Sequence, residues 1–128
     1  MTQPVLRGKP LQAAIIDLAR RLGWRVAHFP PISTTRGGKS WWLTPVAADG
    51  KGFLDLLMLR DRPLVMEVKG DGDYLKPDQE QWLLAWRLAG VEAHVITPAM
   101  WRDGEVEAIL KRRGAVTPSD DLPHPEAA

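Results

Sequence analysis

The chain has 128 residues, 45% of them hydrophobic and 26% charged, with no cysteine and a net charge of +1. That is enough for one domain with its own core, and it excludes a multidomain machine, a disulfide-stapled miniprotein and a disordered chain. No apolar run approaches the ~18 residues of a membrane span, and MTQPVLRGKP holds no apolar stretch of signal-peptide type, so a cytoplasmic protein without membrane contact is expected.

Residues 11–22 place Leu11, Ala14, Ile15, Leu18 and Leu22 on one face at helical spacing. Gly23 is a natural helix stop. Residues 24–29 (WRVAHF) read as a strand that Pro30-Pro31 ends. Residues 30–52 read as a long loop or weak hairpin, and a loop of that length in a small domain is usually functional. Residues 53–59 (FLDLLML) and 64–69 (LVMEVK) are apolar on both faces, as expected for strands of a sheet covered on both sides. GDGDY (70–74) is a loop. Pro77 suits the first turn of a helix running to about Ala89. Residues 91–97 are the next strand and 99–112 a final amphipathic helix. The predicted fold is α/β in the order α-β-β-β-α-β-α, one domain over 1–114, with a disordered tail over 115–128.

Asp55 and Glu67 stand out because each interrupts an apolar strand, where a carboxylate is costly unless paired or bound to a cation. Lys69, two residues beyond Glu67, points to the same face. If residues 60–62 form the turn, Leu59 faces Pro63 and Asp55 faces Glu67, with Cβ atoms roughly 5 Å apart. A two-residue turn would throw Glu67 to the opposite face. Paired carboxylates with oxygen-only ligands suit Mg²⁺ or Mn²⁺, and a neighbouring lysine suits metal-assisted hydrolysis of a phosphodiester. The plainer reading is a buried ion pair without chemistry.

Charge is divided unevenly along the chain. Residues 1–51 carry eight Lys/Arg against Asp17 and Asp49, a local +6, whereas residues 52–114 sum to −2. A basic half beside an acidic half suits a polyanion-facing surface joined to a carboxylate site. Arg36, Lys39, Trp41 and Lys51 interleave cationic and aromatic residues in a way that suits DNA; the alternative for Trp41 and Trp42 is packing on their own domain or on a dimer mate. Trp82 and Trp86, four residues apart, read as core. His94 reads as packing. Gly38-Lys39-Ser40 lacks the leading glycine of a phosphate-binding loop, since Ser33 stands there, so no nucleotide cofactor is expected.

Gly52-Phe53-Leu54-Asp55 followed by Glu67-Val68-Lys69 resembles the PD-(D/E)xK nuclease signature. The wider set resembles the VRR-NUC family of small, often phage-encoded nucleases. It comprises Gln12 in the first helix, Gly23-Trp24, His28, residues 75–79 (LKPDQ) and residues 89–95 (AGVEAHV), and it covers about 8–112. The resemblance implies a restriction-endonuclease-like core, a mixed sheet flanked by helices, and Mg²⁺- or Mn²⁺-dependent DNA cleavage. It implies Asp55, Glu67 and the Val68 carbonyl as metal ligands, Lys69 as the catalytic lysine, and Gln79 beside them in the active site. Gln12 and His28 are the further residues expected to reach DNA. Small stand-alone members are similar to homodimers acting on branched DNA such as Holliday junctions. Three positions depart from the pattern. Leu54 replaces a proline. Gly8 or Lys9 stands where the first helix usually opens with an acidic residue. Lys76 replaces a Ser/Thr N-cap, at a cost of about 1 kcal/mol. The missing acid motivates an alternative, a catalytically inactive DNA-binding or assembly module. An interaction protein with a dimer face of Trp41, Trp42 and Trp101 is a third reading.

Overall fold

Residues 7–114 are described by a computed structural model; the tail over 115–128 lies outside the described residues. Helix α1 (Gly8–Arg21) buries Leu11 and Ile15 of the expected stripe together with Ala19, which the spacing had not singled out, while Ala14, Leu18 and Leu22 are half-buried. Strand β1 (Arg25–His28) follows, then β2 (Ile32–Arg36) and β3 (Lys39–Leu43). β4 (Leu56–Leu59), β5 (Pro63–Val68), α2 (Pro77–Leu88) and β6 (Glu92–Ile96) form the centre, and α3 (Pro98–Arg102) and α4 (Glu105–Lys111) close the chain.

Four strands form one mixed sheet in the order β1-β4-β5-β6, antiparallel except for the parallel β5/β6 pair. The fold is therefore mixed α/β, a mixed sheet flanked by helices. The segment 30–52 is partly ordered into a separate two-stranded ribbon, β2/β3, turned by Gly37-Gly38, both at positive φ as a tight hairpin turn demands.

The sheet is covered on both faces, so β5 can be continuously apolar around one acid. Even-numbered Leu56, Met58, Leu64, Met66 and Val68 pack with α1 and α4 in the larger core. Odd-numbered Leu57, Val65, Ala93 and Val95 pack against Trp82, Leu83 and Trp86 of α2. Asp55, Glu67 and Lys69 share that odd numbering and extend the α2-facing side beyond its apolar part. Trp82 and Trp86 are thus core-packing residues, as expected, and Phe53 stacks edge-on against Trp82 at 5.0 Å.

The three-residue turn occurs as expected: Leu59 pairs with Pro63 and Leu56 with Met66. The turn is held by more than its own backbone. Arg60 and Arg62 lie over the Trp24 ring at 4.4 and 5.0 Å. They donate to the Leu110, Ile109 and Arg112 carbonyls, which lack helical partners at the end of α4. Asp61 accepts from the Gly114 amide and from Arg60, which in that order hold its carboxyl below the usual range.

Three expected elements need correction. The strand expected over 53–59 begins at Leu56, because Gly50–Asp55 is a loop whose Phe53 amide bonds back to Gly50. Trp24, expected to open the first strand, is instead a buried plug whose Nε1 donates to the Leu110 carbonyl at 2.9 Å. The final helix over 99–112 is two helices. Gly104 sits at φ 80°, which no α-helix accommodates, so the chain turns between α3 and α4.

Candidate functional site

Asp55 directly precedes β4, and extending the Leu56/Met66 register by one residue sets it across from Glu67 on β5. Asp55 Oδ2 accepts the Val68 amide at 2.8 Å, so its carboxylate is turned onto the β5 edge. Glu67 is 2% exposed and is the one charged residue in the core of the described chain. Lys69 Nζ lies 3.4 Å from Glu67 Oε1.

Gln79 ties these groups together. Pro77 starts α2, so Gln79 lies in its first turn, facing the sheet beside Leu83 one turn on. Its Oε1 accepts from Lys69 Nζ at 2.8 Å and from the Lys76 amide at 2.9 Å. Its Nε2 donates to Glu67 Oε1 at 2.9 Å. Lys76 offers no side-chain cap, and the Gln79 side chain serves its backbone amide instead. Gln79 therefore positions Lys69 and Glu67, and its own amide is oriented by three partners.

Helix α2 can approach this closely because of Gly52. A Cβ there would sit 2.5 Å from Asp78 Cβ and 2.6 Å from the Asp78 carbonyl carbon, and Gly52 has φ +83°. A glycine three residues before the expected motif residue Asp55 thus seats the α2 N-terminus against the site.

The electrostatics are those of an acidic pair that one lysine compensates only in part. Burial, then the neighbouring Asp55 charge, pushes Glu67 up to about 8 against the pull of Lys69. Burial also raises Asp55, opposed first by the Val68 amide. Glu67 Oε2 is buried with no N–H or hydroxyl donor facing it, and the Asp55 and Glu67 carboxyls stand within hydrogen-bond reach of one another. A divalent cation fits this donor set: it would pair that oxygen and relieve the Asp55 repulsion that, after burial, raises Glu67. Among the described residues no group of three or more His, Cys, Asp or Glu gathers, so the protein side chains offer two carboxylates. The first turn of α1 contains no acid. Gly8 instead packs against the backbone of Gly70, directly after Lys69.

The four residues open onto a cleft of about 930 Å³ between the sheet, the α2 N-terminus and the β2/β3 ribbon. Of the expected DNA contacts, Trp41 and Lys51 line this cleft, and Lys51 pairs with Asp78 at 3.3 Å. The others are not gathered there. Arg36 and Lys39 face each other at the exposed ribbon tip. His28 ends the edge strand β1 opposite Leu56 and lines a depression with Arg20 and Arg25, yet it stands close enough to Asp55 for its charge to act on that carboxyl. Gln12 is half-buried on α1 and does not line the cleft. Trp101 packs on the larger core and lines another depression, so it shares no cleft with Trp41 and Trp42.

Sequence reasoning missed the Arg62–Glu92–Arg112 cluster, with Glu92 also 2.7 Å from His94 Nε2. Burial raises the Glu92 pKa, but bonds from Arg112, His94 and Arg62 outweigh it and hold it at about 2. The only signal was the mismatch of a charged turn, residues 60–62, beside an otherwise apolar hairpin. No helix among the described residues is long and apolar enough to cross a membrane. Compared with protein-family models, curated proteins and solved structures, the chain matches none.

Proposed function

We propose that the chain is a Mg²⁺- or Mn²⁺-dependent DNA endonuclease built on a restriction-endonuclease-like core. One observation carries the reading: two carboxylates, a lysine and the glutamine that orients it converge at the floor of one cleft, with a buried Glu67 oxygen that no N–H or hydroxyl donor meets. Asp55 and Glu67, with the Val68 carbonyl, would hold the cation. When bound it would supply Lewis-acid stabilisation of phosphate charge and a more acidic water.

The rest is done by the chain. Gln79 Oε1 holds the Lys69 ammonium at the cleft floor, where its charge stabilises negative charge building on the phosphorus oxygens. Water attacks phosphorus, the bond to the ester oxygen breaks, and the leaving oxygen ends protonated. Cations about the cleft, Lys51 and Lys76, contact flanking phosphates without reading sequence. A homodimer acting on branched DNA belongs to the same proposal. The test is cleavage of linear, nicked and four-way-junction DNA with Mg²⁺, Mn²⁺ or EDTA; metal-dependent products support it, and intact DNA throughout refutes it.

The absence of an acid in the first turn of α1 favours a second reading, a DNA-binding module without catalysis. It predicts salt-sensitive DNA binding in the same panel with no metal-dependent cleavage.

A further inference from the structure

The two ribbon tryptophans are adjacent in sequence but lie on opposite faces of the ribbon. Cross-strand pairing puts Trp41 with Thr34, flanked by Ile32/Leu43 on one side and Arg36/Lys39 on the other. Trp42 pairs with Ser33 on the reverse face. Both line the cleft that holds Asp55, Glu67 and Lys69, but a cation covers the ring of one. Trp42 has the Lys9 ammonium over its ring at 5.7 Å. Trp41 is 42% exposed, lines the cleft that holds Asp55, Glu67 and Lys69, and among the described residues has no ring or cation stacked on it. Two residues up the same face, about 7 Å along the strand, stand Arg36 and Lys39, for which no ion pair is recorded among the described residues.

We infer that Trp41 is a specificity-determining residue that stacks an unpaired or extruded base next to the scissile phosphate, with Arg36 and Lys39 holding the strand's next phosphates. The inference rests on the nuclease reading of the adjoining carboxylates. An indole finds a free base face only where the base has left the helical stack, since in a continuous duplex both faces are covered by neighbours. The charge beyond Trp41 is that of a polyanion's partner, which favours a nucleic-acid strand over a second copy of the chain as occupant of this face.

The test uses the full chain carrying Lys69→Ala, in EDTA, with one 30-mer containing 2-aminopurine presented as single strand, as a bulge in a duplex, or fully paired. Anisotropy reads affinity and 2-aminopurine emission reads stacking. The inference expects the single strand and the bulge to bind about tenfold tighter than the paired duplex, with quenched emission. Trp41→Ala should lose about tenfold in affinity for those two probes, together with the quenching. Trp41→Phe should keep most of both, which separates loss of the ring from loss of the fold. Trp42→Ala should keep the quenching. Equal binding of all three probes, or quenching that survives Trp41→Ala, overturns the inference and leaves the nuclease reading standing. Conversion of a dimer to a monomer by Trp41→Ala with quenching unchanged assigns the face to a second copy and also overturns it. No binding to any probe overturns both readings.

Discussion

Replacing Glu67 with glutamine should stabilise the metal-free protein, and only above mildly acidic pH. Glu67 is 2% exposed and its carboxyl titrates near 8 in the folded chain, against 4.5 in the unfolded one, first because it is buried and then because Asp55 faces it. Between those values the folded state holds a proton that the unfolded state has lost. Wild-type stability therefore falls as pH rises through this window. A shift of this size corresponds to about 5 kcal/mol if Glu67 carried it alone. Because the Asp55 and Glu67 carboxyls titrate together, the expected gain for Glu67→Gln at pH 8 is about 2–4 kcal/mol. Near pH 4.5 both states of wild type hold the proton, and the gain should vanish. Urea unfolding followed by tryptophan fluorescence in EDTA at pH 5, 6, 7 and 8 reads the difference. Adding Mg²⁺ should raise the stability of wild type by mass action and leave the variant unmoved. Parallel stability curves for the two proteins, or a variant less stable at pH 8, would refute the account of the site as a strained acidic pair.

Gly52→Ala should lose about 2–4 kcal/mol, since the new methyl meets the Asp78 backbone and the residue must hold a left-handed φ. Differential calorimetry of the purified variant measures it, and a loss below 1 kcal/mol would deny that Gly52 seats α2. Glu92→Ala should cost about 2 kcal/mol at pH 7, after discounting for its partial exposure. A folded carboxyl held down at about 2 contributes stability above 4.5 that fades as pH falls toward 2, so the penalty should shrink in that range. Gln79→Ala should lower cleavage at least tenfold while the far-UV spectrum stays native, because Lys69 loses its 2.8 Å acceptor; cleavage at the wild-type rate would remove Gln79 from the positioning role.

The parts of this architecture that were legible in the sequence are those set by local rules. Counting from a three-residue turn placed Asp55 opposite Glu67, and Pro77 fixed where α2 begins and hence which way Gln79 faces. The restriction-endonuclease-like core remains part of the proposal, whereas the mixed α/β sheet is observed directly. What the sequence concealed depends on distant partners. Arg60 and Arg62 look like solvated turn residues until Trp24, 36 and 38 positions away, and the carbonyls ending α4, 47 and 50 positions away, come to them. The +6 charge of the first 51 residues does not form a single surface. Lys51 reaches the cleft, Arg36 and Lys39 occupy the ribbon tip, and Arg20 and Arg25 lie with His28 in another depression. The split at Gly104 was readable only as a weak stop, since Gly within a helical pattern is often tolerated.

The central claim is that Asp55, Glu67 and Lys69 form a metal-dependent phosphodiesterase site. Its most direct test is cleavage of a supercoiled plasmid and a four-way junction in Mn²⁺ by wild type, Asp55→Ala and Lys69→Ala, each checked for native unfolding. The account predicts cutting by wild type that EDTA stops, and a fall of at least a hundredfold in either variant with the fold intact. Cutting by folded Lys69→Ala at the wild-type rate, or none by wild type on either substrate, would contradict it.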